Sequence, residues 1–157
     1  MSIALYRIDD RLIHGQVVVG WGQQLKVEFI VLVDDVVRAS PWEQDLYRMG
    51  VPPNIEVITV SKTEAAARLP EWDAESRVGI VVAGDIATLA ALTENCHQVK
   101  RINVGGLHQR PGRRERLRFV YLSDAEADEL KRLAARGIEI TAQDVPTARA
   151  VPLAEFT

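Results

Sequence analysis

Short runs of apolar residues alternate along this chain with segments whose apolar residues recur at helical spacing. The run from Val27 to Val33 is apolar at nearly every position, which is typical of a strand covered on both faces of a parallel sheet. Ser61 and Ser123 each precede a glutamate by three positions, a capping box that opens a helix. The predicted strands comprise residues 2–8, 27–33, 55–60, 78–83, 102–104, 117–122 and 138–141. This alternation predicts an α/β fold: a single-domain, doubly wound, mainly parallel β-sheet of about seven strands with helices on both faces.

The length and composition suit one domain, so we expect residues 1–157 to fold as one unit. Cys96 is the one cysteine, which excludes an internal disulfide and fits a reducing compartment. No apolar run approaches the ~18 residues of a membrane span, and the start of the chain lacks the layout of a signal peptide, so we expect a cytoplasmic protein. The net charge of −3 argues against general nucleic-acid binding. The tail from Asp144 is predicted to be extended, packed on its own sheet or on a partner.

The residues with chemical potential concentrate at positions 7–17, RIDDRLIHGQV, where the first predicted strand gives way to a helical pattern. His14 is predicted to lie on a tight loop just before a helix N-terminus, where backbone N–H groups and the helix dipole favour a phosphate. Ligand sites in open α/β sheets lie at the carboxyl ends of strands, which is where this loop belongs.

An imidazole in this setting suits the uptake and onward transfer of a phosphoryl group, because neutral imidazole is a good nucleophile near neutral pH. Arg11 is predicted to offset the phosphoryl charge with its planar fork of donors, and Arg7 is a second candidate that lies in or near the strand. Asp10 or Asp9 is expected to fix the imidazole tautomer, with one of the two facing the site. The alternative is that His14 is an ordinary solvated loop residue.

Several neighbouring positions are candidates for supporting roles. Gly15 and Gln16 follow the histidine directly and belong to the predicted phosphate loop. Asp34 and Asp35 end the second strand, where they either line the same cleft or cap the next element. Gly84-Asp85, past the fourth strand, has the same two interpretations.

The sequence Asn103-Val-Gly-Gly106 places two glycines at a strand end, which permits close approach of the backbone to a phosphate. The chain has no nucleotide-binding glycine motif, so no cofactor is expected. His108 is predicted to lie near the cleft and His97 at the surface. The histidine spacings match no common ligand pattern, so no metal is expected.

The motif RIDDRLIHGQV resembles the signature of the IIB components of the bacterial phosphotransferase system (PTS), mannose/fructose/sorbose family. VDD at 33–35, INVGGLH at 102–108 and VYLSDAEADELKRLAARGIEITAQDVP at 120–146 continue this resemblance along nearly the whole chain. The resemblance implies that His14 accepts a phosphoryl group from the phosphohistidine of a IIA protein. It implies further that His14 passes this group to a sugar held by the membrane components IIC and IID, with Arg11 as the charge partner.

The same resemblance implies a protein-phosphohistidine–sugar phosphotransferase at the periphery of a membrane permease, and often a homodimer. Because the active loop would meet two partners, we expect His14 to be exposed. An alternative is a regulatory phosphoacceptor without its own permease, and another is a ligand-binding protein that is not an enzyme. An arginine cluster is either a solvated loop or a docking surface for an acidic IIA; it comprises Arg110, Arg113, Arg114, Arg116 and Arg118.

Overall fold

Branched apolar residues fill the central strands of one seven-stranded sheet. This computed structural model describes residues 2–157, apart from the side chain of Gln16. The strands of the sheet are β1 (Ile3–Ile8), β2 (Phe29–Val33), β3 (Glu56–Val60), β4 (Gly79–Ala83), β5 (Arg101–Val104), β8 (Glu139–Ala142) and β9 (Val151–Pro152). Their order is β3-β2-β4-β1-β5-β8-β9, and all pair in parallel except β9, which runs antiparallel to β8. The prediction of a doubly wound, mainly parallel sheet is confirmed.

Helices cover both faces of this sheet. The first, α1, has a π-helical part (Gln16–Gly22) and a short α-helical part (Gln23–Leu25). The others are α2 (Asp35–Arg38), α3 (Pro41–Met49), α4 (Lys62–Asp73), α5 (Ile86–Asn95) and α6 (Asp124–Ala135), with a 3₁₀ turn at Leu153–Glu155. One apolar core packs α4, α5 and α6 against one face, and a second packs α1, α2 and α3 against the other. Within residues 2–157, none of these helices combines the length and the apolar character that crossing a bilayer requires.

The predicted helix starts are confirmed in detail. Ser61 and Ser123 form capping boxes in which serine and glutamate satisfy each other's backbone N–H groups. Ser40 accepts the N–H of Glu43 ahead of Pro41. Gly137 ends α6 with a φ of +96°, a conformation that glycine adopts at little cost.

Two predictions about the sheet are corrected. Residues 117–122 are not a strand of the main sheet, since they belong to a separate antiparallel hairpin of β6 (Arg114–Leu117) and β7 (Val120–Leu122). The seventh strand of the sheet is instead β9, from the tail that was predicted to be extended and packed on its own sheet or on a partner. Its Val151 pairs with Ala142 of β8, so the tail packs on its own sheet.

The topology directs two loops to one place. β1 lies between β4 and β5, and the chain leaves β1 towards α1 on one face, while the connection from β4 to β5 crosses the other face through α5. Such a divergence opens a crevice at the carboxyl ends of the strands. The loop after β1, which carries His14, therefore meets the loop after β5, which carries Gly105 and Gly106.

Candidate functional site

The carboxylate of Asp9 is the centre of the site, and its side chain is fully buried. Its Oδ1 accepts the backbone N–H of Arg11 at 3.1 Å and Nε of the same residue at 3.2 Å. Its Oδ2 accepts Nη2 of Arg7 at 3.2 Å, Nη2 of Arg11 at 3.3 Å and the backbone N–H of Gly106 at 3.3 Å. The same oxygen lies 3.0 Å from Nε2 of His14. One carboxylate thus holds two guanidinium groups and the imidazole in fixed positions.

The charge of Asp9 decides which nitrogen of His14 is basic. Burial alone would raise the pKa of Asp9, but hydrogen bonds from His14 and Arg11 and the charge of Arg7 hold that pKa well below its ordinary value. The carboxylate is therefore ionised and can only accept hydrogen bonds. Its contact with Nε2 requires a proton on Nε2, so the basic nitrogen of the neutral ring is Nδ1.

His14 occupies the predicted position at the start of α1. Its carbonyl accepts the N–H of Val18, and the helix that follows opens in π-helical geometry, a form that is often found at functional sites. The preceding Leu12 has a φ of +59°, a left-handed conformation that costs energy in a leucine and turns the loop back towards the sheet. The expectation of an exposed His14 is wrong in degree, because only 17% of its side chain is accessible.

Arg7 is a supporting residue that does not reach the surface. It lies in β1 with no exposed area, 5.5 Å from the ring of Trp21. Its guanidinium donates to Oδ1 of Asn103 and to the carbonyls of Gln143 and Asp144 at 2.9 and 3.0 Å. Burial lowers the pKa of Arg7, and the charge of Asp9 offsets part of this effect. The two carbonyls could not be predicted from the sequence, because every residue carries one.

The glycines of the Asn103–Gly106 sequence let the backbone approach charged side chains closely. A Cβ on Gly105 would lie 2.3 Å from Nη2 of Arg7 and 2.7 Å from Oδ2 of Asp9. A Cβ on Gly106 would lie 2.9 Å from Nη2 of Arg11. The backbone therefore closely approaches the charged side chains of the site. The close approach to a phosphate that the sequence suggested stays a prediction.

Asp10 orients a second histidine and not His14. Its Oδ1 lies 2.6 Å from Nδ1 of His108, and its Oδ2 accepts the backbone N–H of the same residue at 2.7 Å. The Asp10 side chain is 5% exposed and that of His108 is 65% exposed. The prediction that Asp10 fixes the imidazole of His14 is thus wrong, and the alternative, Asp9, is the residue in contact with it.

The other candidates take structural roles. Asp34 caps α2 by accepting the N–H of Val37, and Asp35 accepts the N–H of Lys62. Asp85 caps α5 in the same way. β4 lies between β2 and β1, so the strand that leads to the first two carboxylates does not adjoin the strand that leads to His14. A Cβ on Gly15 would meet no atom within 4 Å, and the side chain of Gln16 lies outside the described residues.

The arginine cluster is mostly paired within the protein. Arg113 is 5% exposed and forms a two-point ion pair with Glu126, so it is not part of a docking surface. Arg116 binds Asp124 and the carbonyl of Leu122, and the exposed Arg114 also lies 3.4 Å from Asp124. The prediction of five solvated arginines is therefore corrected: two of them support the hairpin.

The fold and the site together define a doubly wound α/β protein that presents a carboxylate-bound histidine at the carboxyl edge of its sheet. Comparison with known proteins identifies the family of this chain. Residues 3–157 match the family described as the PTS system sorbose subfamily IIB component, and the chain belongs to this family of sugar phosphotransferase components. The resemblance drawn from RIDDRLIHGQV is confirmed.

Individual relatives agree with this assignment. The chain is 33% identical to the PTS system mannose-specific EIIAB component of Escherichia coli K12 over 149 residues, and this alignment covers 94% of the chain. It spans 46% of that relative, about half its length. It is 31% identical over 150 residues to the N-acetylgalactosamine-specific phosphotransferase enzyme IIB component 1 of Escherichia coli, with 92% of each chain covered. The crystal structure of the IIBSor domain of the sorbose permease from Klebsiella pneumoniae matches with a TM-score of 0.89 and 26% identity, over 99% of this chain and 96% of that one.

Proposed function

We propose that the protein is a phosphocarrier of a sugar phosphotransferase system, with residues 1–157 acting as one IIB domain. In this role, His14 accepts a phosphoryl group from a IIA phosphohistidine and passes it to a sugar handled by IIC and IID. The observation that carries the proposal is the contact of Asp9 with Nε2 of His14, which selects Nδ1 as the nucleophile. The role also places the protein at the cytoplasmic face of a permease.

The first transfer requires little beyond position and charge, as phosphoryl transfer generally does. Nδ1 of His14 attacks the phosphorus of a IIA phosphohistidine whose second ring nitrogen carries a proton. The N–P bond to the IIA histidine breaks, and the IIA imidazole leaves as a neutral base that keeps this proton. The proton on Nε2 stays in place, and the Asp9 carboxylate stabilises the positive charge that develops on the ring. No proton leaves the site in this step.

The charges around His14 favour a phosphoryl group. The buried Asp9 cancels one of the two guanidinium charges of Arg7 and Arg11, so the cluster retains one positive charge. Arg11 is 35% exposed, and its guanidinium can reach the incoming oxygens while it remains bound to Asp9. The backbone N–H groups at the start of α1 add a second source of positive potential.

The second transfer consumes the phosphohistidine. A sugar hydroxyl attacks the phosphorus, the bond to Nδ1 breaks, the ring returns to its neutral form and the hydroxyl proton is released. The regulatory alternative is not favoured, because the relatives are components of systems that are specific for sugars. A homodimer stays a prediction.

Labelling of the purified protein tests this function. Incubation with a ³²P-phosphorylated IIA protein of a mannose-family system should give an acid-labile, base-stable label on the wild type. His14→Ala should abolish the label, while His97→Ala should retain it, because His97 is exposed on the loop before β5 at the opposite edge of the sheet. Label that persists in His14→Ala would reject the assigned residue, and a wild type without label would reject the phosphocarrier role.

A further inference from the structure

A small pocket adjoins the site on the side of the β6–β7 hairpin. Its volume is about 200 Å³, below the roughly 300–1,000 Å³ of pockets that take drug-sized ligands. Three basic side chains, a tyrosine and one acidic residue line it: Arg11, His108, Arg118, Tyr121 and Asp144. Arg11 belongs both to this pocket and to the Asp9 cluster, so the pocket lies directly beside the histidine site.

Arg118 differs from its neighbours on the hairpin in having no acidic partner. Arg113 and Arg116 are held by carboxylates of α6, and Arg114 lies beside one of the same carboxylates. Among the residues that the structure describes, Arg118 forms no ion pair or side-chain hydrogen bond, although it lines the pocket. A guanidinium that has no ion-pair partner among the described residues, and that shares a pocket with a second guanidinium, attracts a small anion.

The walls of the pocket are fixed before any ligand arrives. The N–H of Leu107 donates to the carbonyl of Phe119, and the N–H of Tyr121 donates to the carbonyl of Leu107, both at 2.9 Å. Arg113 donates to the carbonyl of His108, and Asp10 holds the imidazole of that residue. A preformed pocket loses little entropy on binding.

We propose that this pocket binds a phosphate dianion, with the guanidinium groups of Arg118 and Arg11 as its main contacts. Asp144 also lines the pocket, and its negative charge disfavours ligands with several anionic groups. The dianion has two sources under the proposed function, on which this part of the inference rests: the phosphoryl group carried by His14, or a phosphate monoester such as a sugar phosphate that enters from solution.

Titration with inorganic phosphate tests the pocket in the unphosphorylated protein. Amide resonances of residues 106–108 and 118–121 should shift in ¹H–¹⁵N spectra, relative to chloride at equal ionic strength. Arg118→Gln should weaken binding by about 10-fold or more, the usual scale for a lost charged hydrogen bond. Arg114→Gln is the matched control on the same hairpin and should leave affinity within about twofold. The absence of localised shifts, or equal affinities of the two variants, would overturn the proposal.

The same titration on the His14-phosphorylated protein separates the two sources. If phosphorylation abolishes phosphate binding, the pocket holds the phosphoryl group of His14; if binding persists, the pocket is a separate monoester site. The first arm does not require phosphorylation. A protein that takes no label from IIA but binds phosphate through Arg118 would therefore refute the proposed function and leave the pocket standing.

Discussion

Replacement of Asp9 by Asn tests the central contact of the site. The change keeps the shape of the side chain but leaves the guanidinium of Arg7 buried without its counter-charge. Loss of one partner of a buried ion pair costs about 3–5 kcal/mol. Because Arg7 retains Asn103 and two carbonyls as acceptors, we expect the lower end of this range, about 3 kcal/mol. For a domain of this size, that corresponds to a fall in Tm of about 6–12 °C.

Urea denaturation of three proteins decides whether this reasoning holds: wild type, Asp9→Asn and the double variant Arg7→Met/Asp9→Asn. The double variant should be more stable than Asp9→Asn, because it removes the unpaired charge. The rate of labelling by phospho-IIA should fall by roughly 10²-fold or more in Asp9→Asn, since an amide can also donate to Nε2 and so select the other tautomer of His14. A free energy of unfolding of Asp9→Asn within about 0.5 kcal/mol of the wild-type value would refute the account of the buried pair.

The pH dependence of stability gives a second readout of the same variant. The folded pKa of Asp9 lies below the ordinary value of about 3.9, so the unfolded chain binds this proton before the folded protein does. The contribution of Asp9 to the free energy of unfolding is therefore complete above that value and is lost as the pH falls below it. The difference between wild type and Asp9→Asn should shrink between about pH 6 and about pH 3; a constant difference would contradict the assigned ionisation.

Two further substitutions separate the roles of neighbouring residues. Gly105→Ala should destabilise the protein by about 1–3 kcal/mol and slow labelling, because its Cβ would overlap the pair of Arg7 and Asp9. The control variant Gly15→Ala should preserve stability, because its Cβ has open space around it. Equal melting temperatures of the two variants would exclude the steric explanation. Asp10→Asn should leave the rate of labelling by phospho-IIA within about twofold of wild type, because Asp10 holds the imidazole of His108 and not that of His14. A large loss of labelling would return Asp10 to the catalytic role.

Signals that act over a few residues made much of the fold predictable. The capping boxes at Ser61 and Ser123 and the Ser40-Pro41 start each depend on side chains within one helical turn. The buried strands were recognisable because both faces are covered by helices, which requires apolar residues at successive positions. The hairpin was missed because its turn consists of Arg118 and Phe119. Neither is a glycine, proline or asparagine, the residues that usually mark a reversal of the chain.

The site was predictable in its residue types but not in its pairings. The motif predicted His14 and Arg11 as partners, because a histidine and an arginine at a strand-to-helix loop suit phosphate chemistry, and the structure brings both to the Asp9 carboxylate. Asp9 and Asp10 are adjacent and chemically identical, so the sequence could not say which one faces the imidazole. That choice depends on the backbone of the loop, in which Leu12 has a left-handed conformation that no sequence rule assigns to leucine.

The hydrogen bonds of Arg7 have a consequence for the order of events during synthesis. This side chain joins β1 to the carbonyls of Gln143 and Asp144, and roughly 130 residues of chain separate those carbonyls from His14. At translation rates of about 5–20 residues per second, the interval is roughly 6–26 s. A nascent chain on the ribosome thus contains His14 and Asp9 well before the two carbonyls that anchor Arg7 exist. The complete set of contacts around Asp9 and Arg7 becomes available only when the last third of the polypeptide has been made and folded.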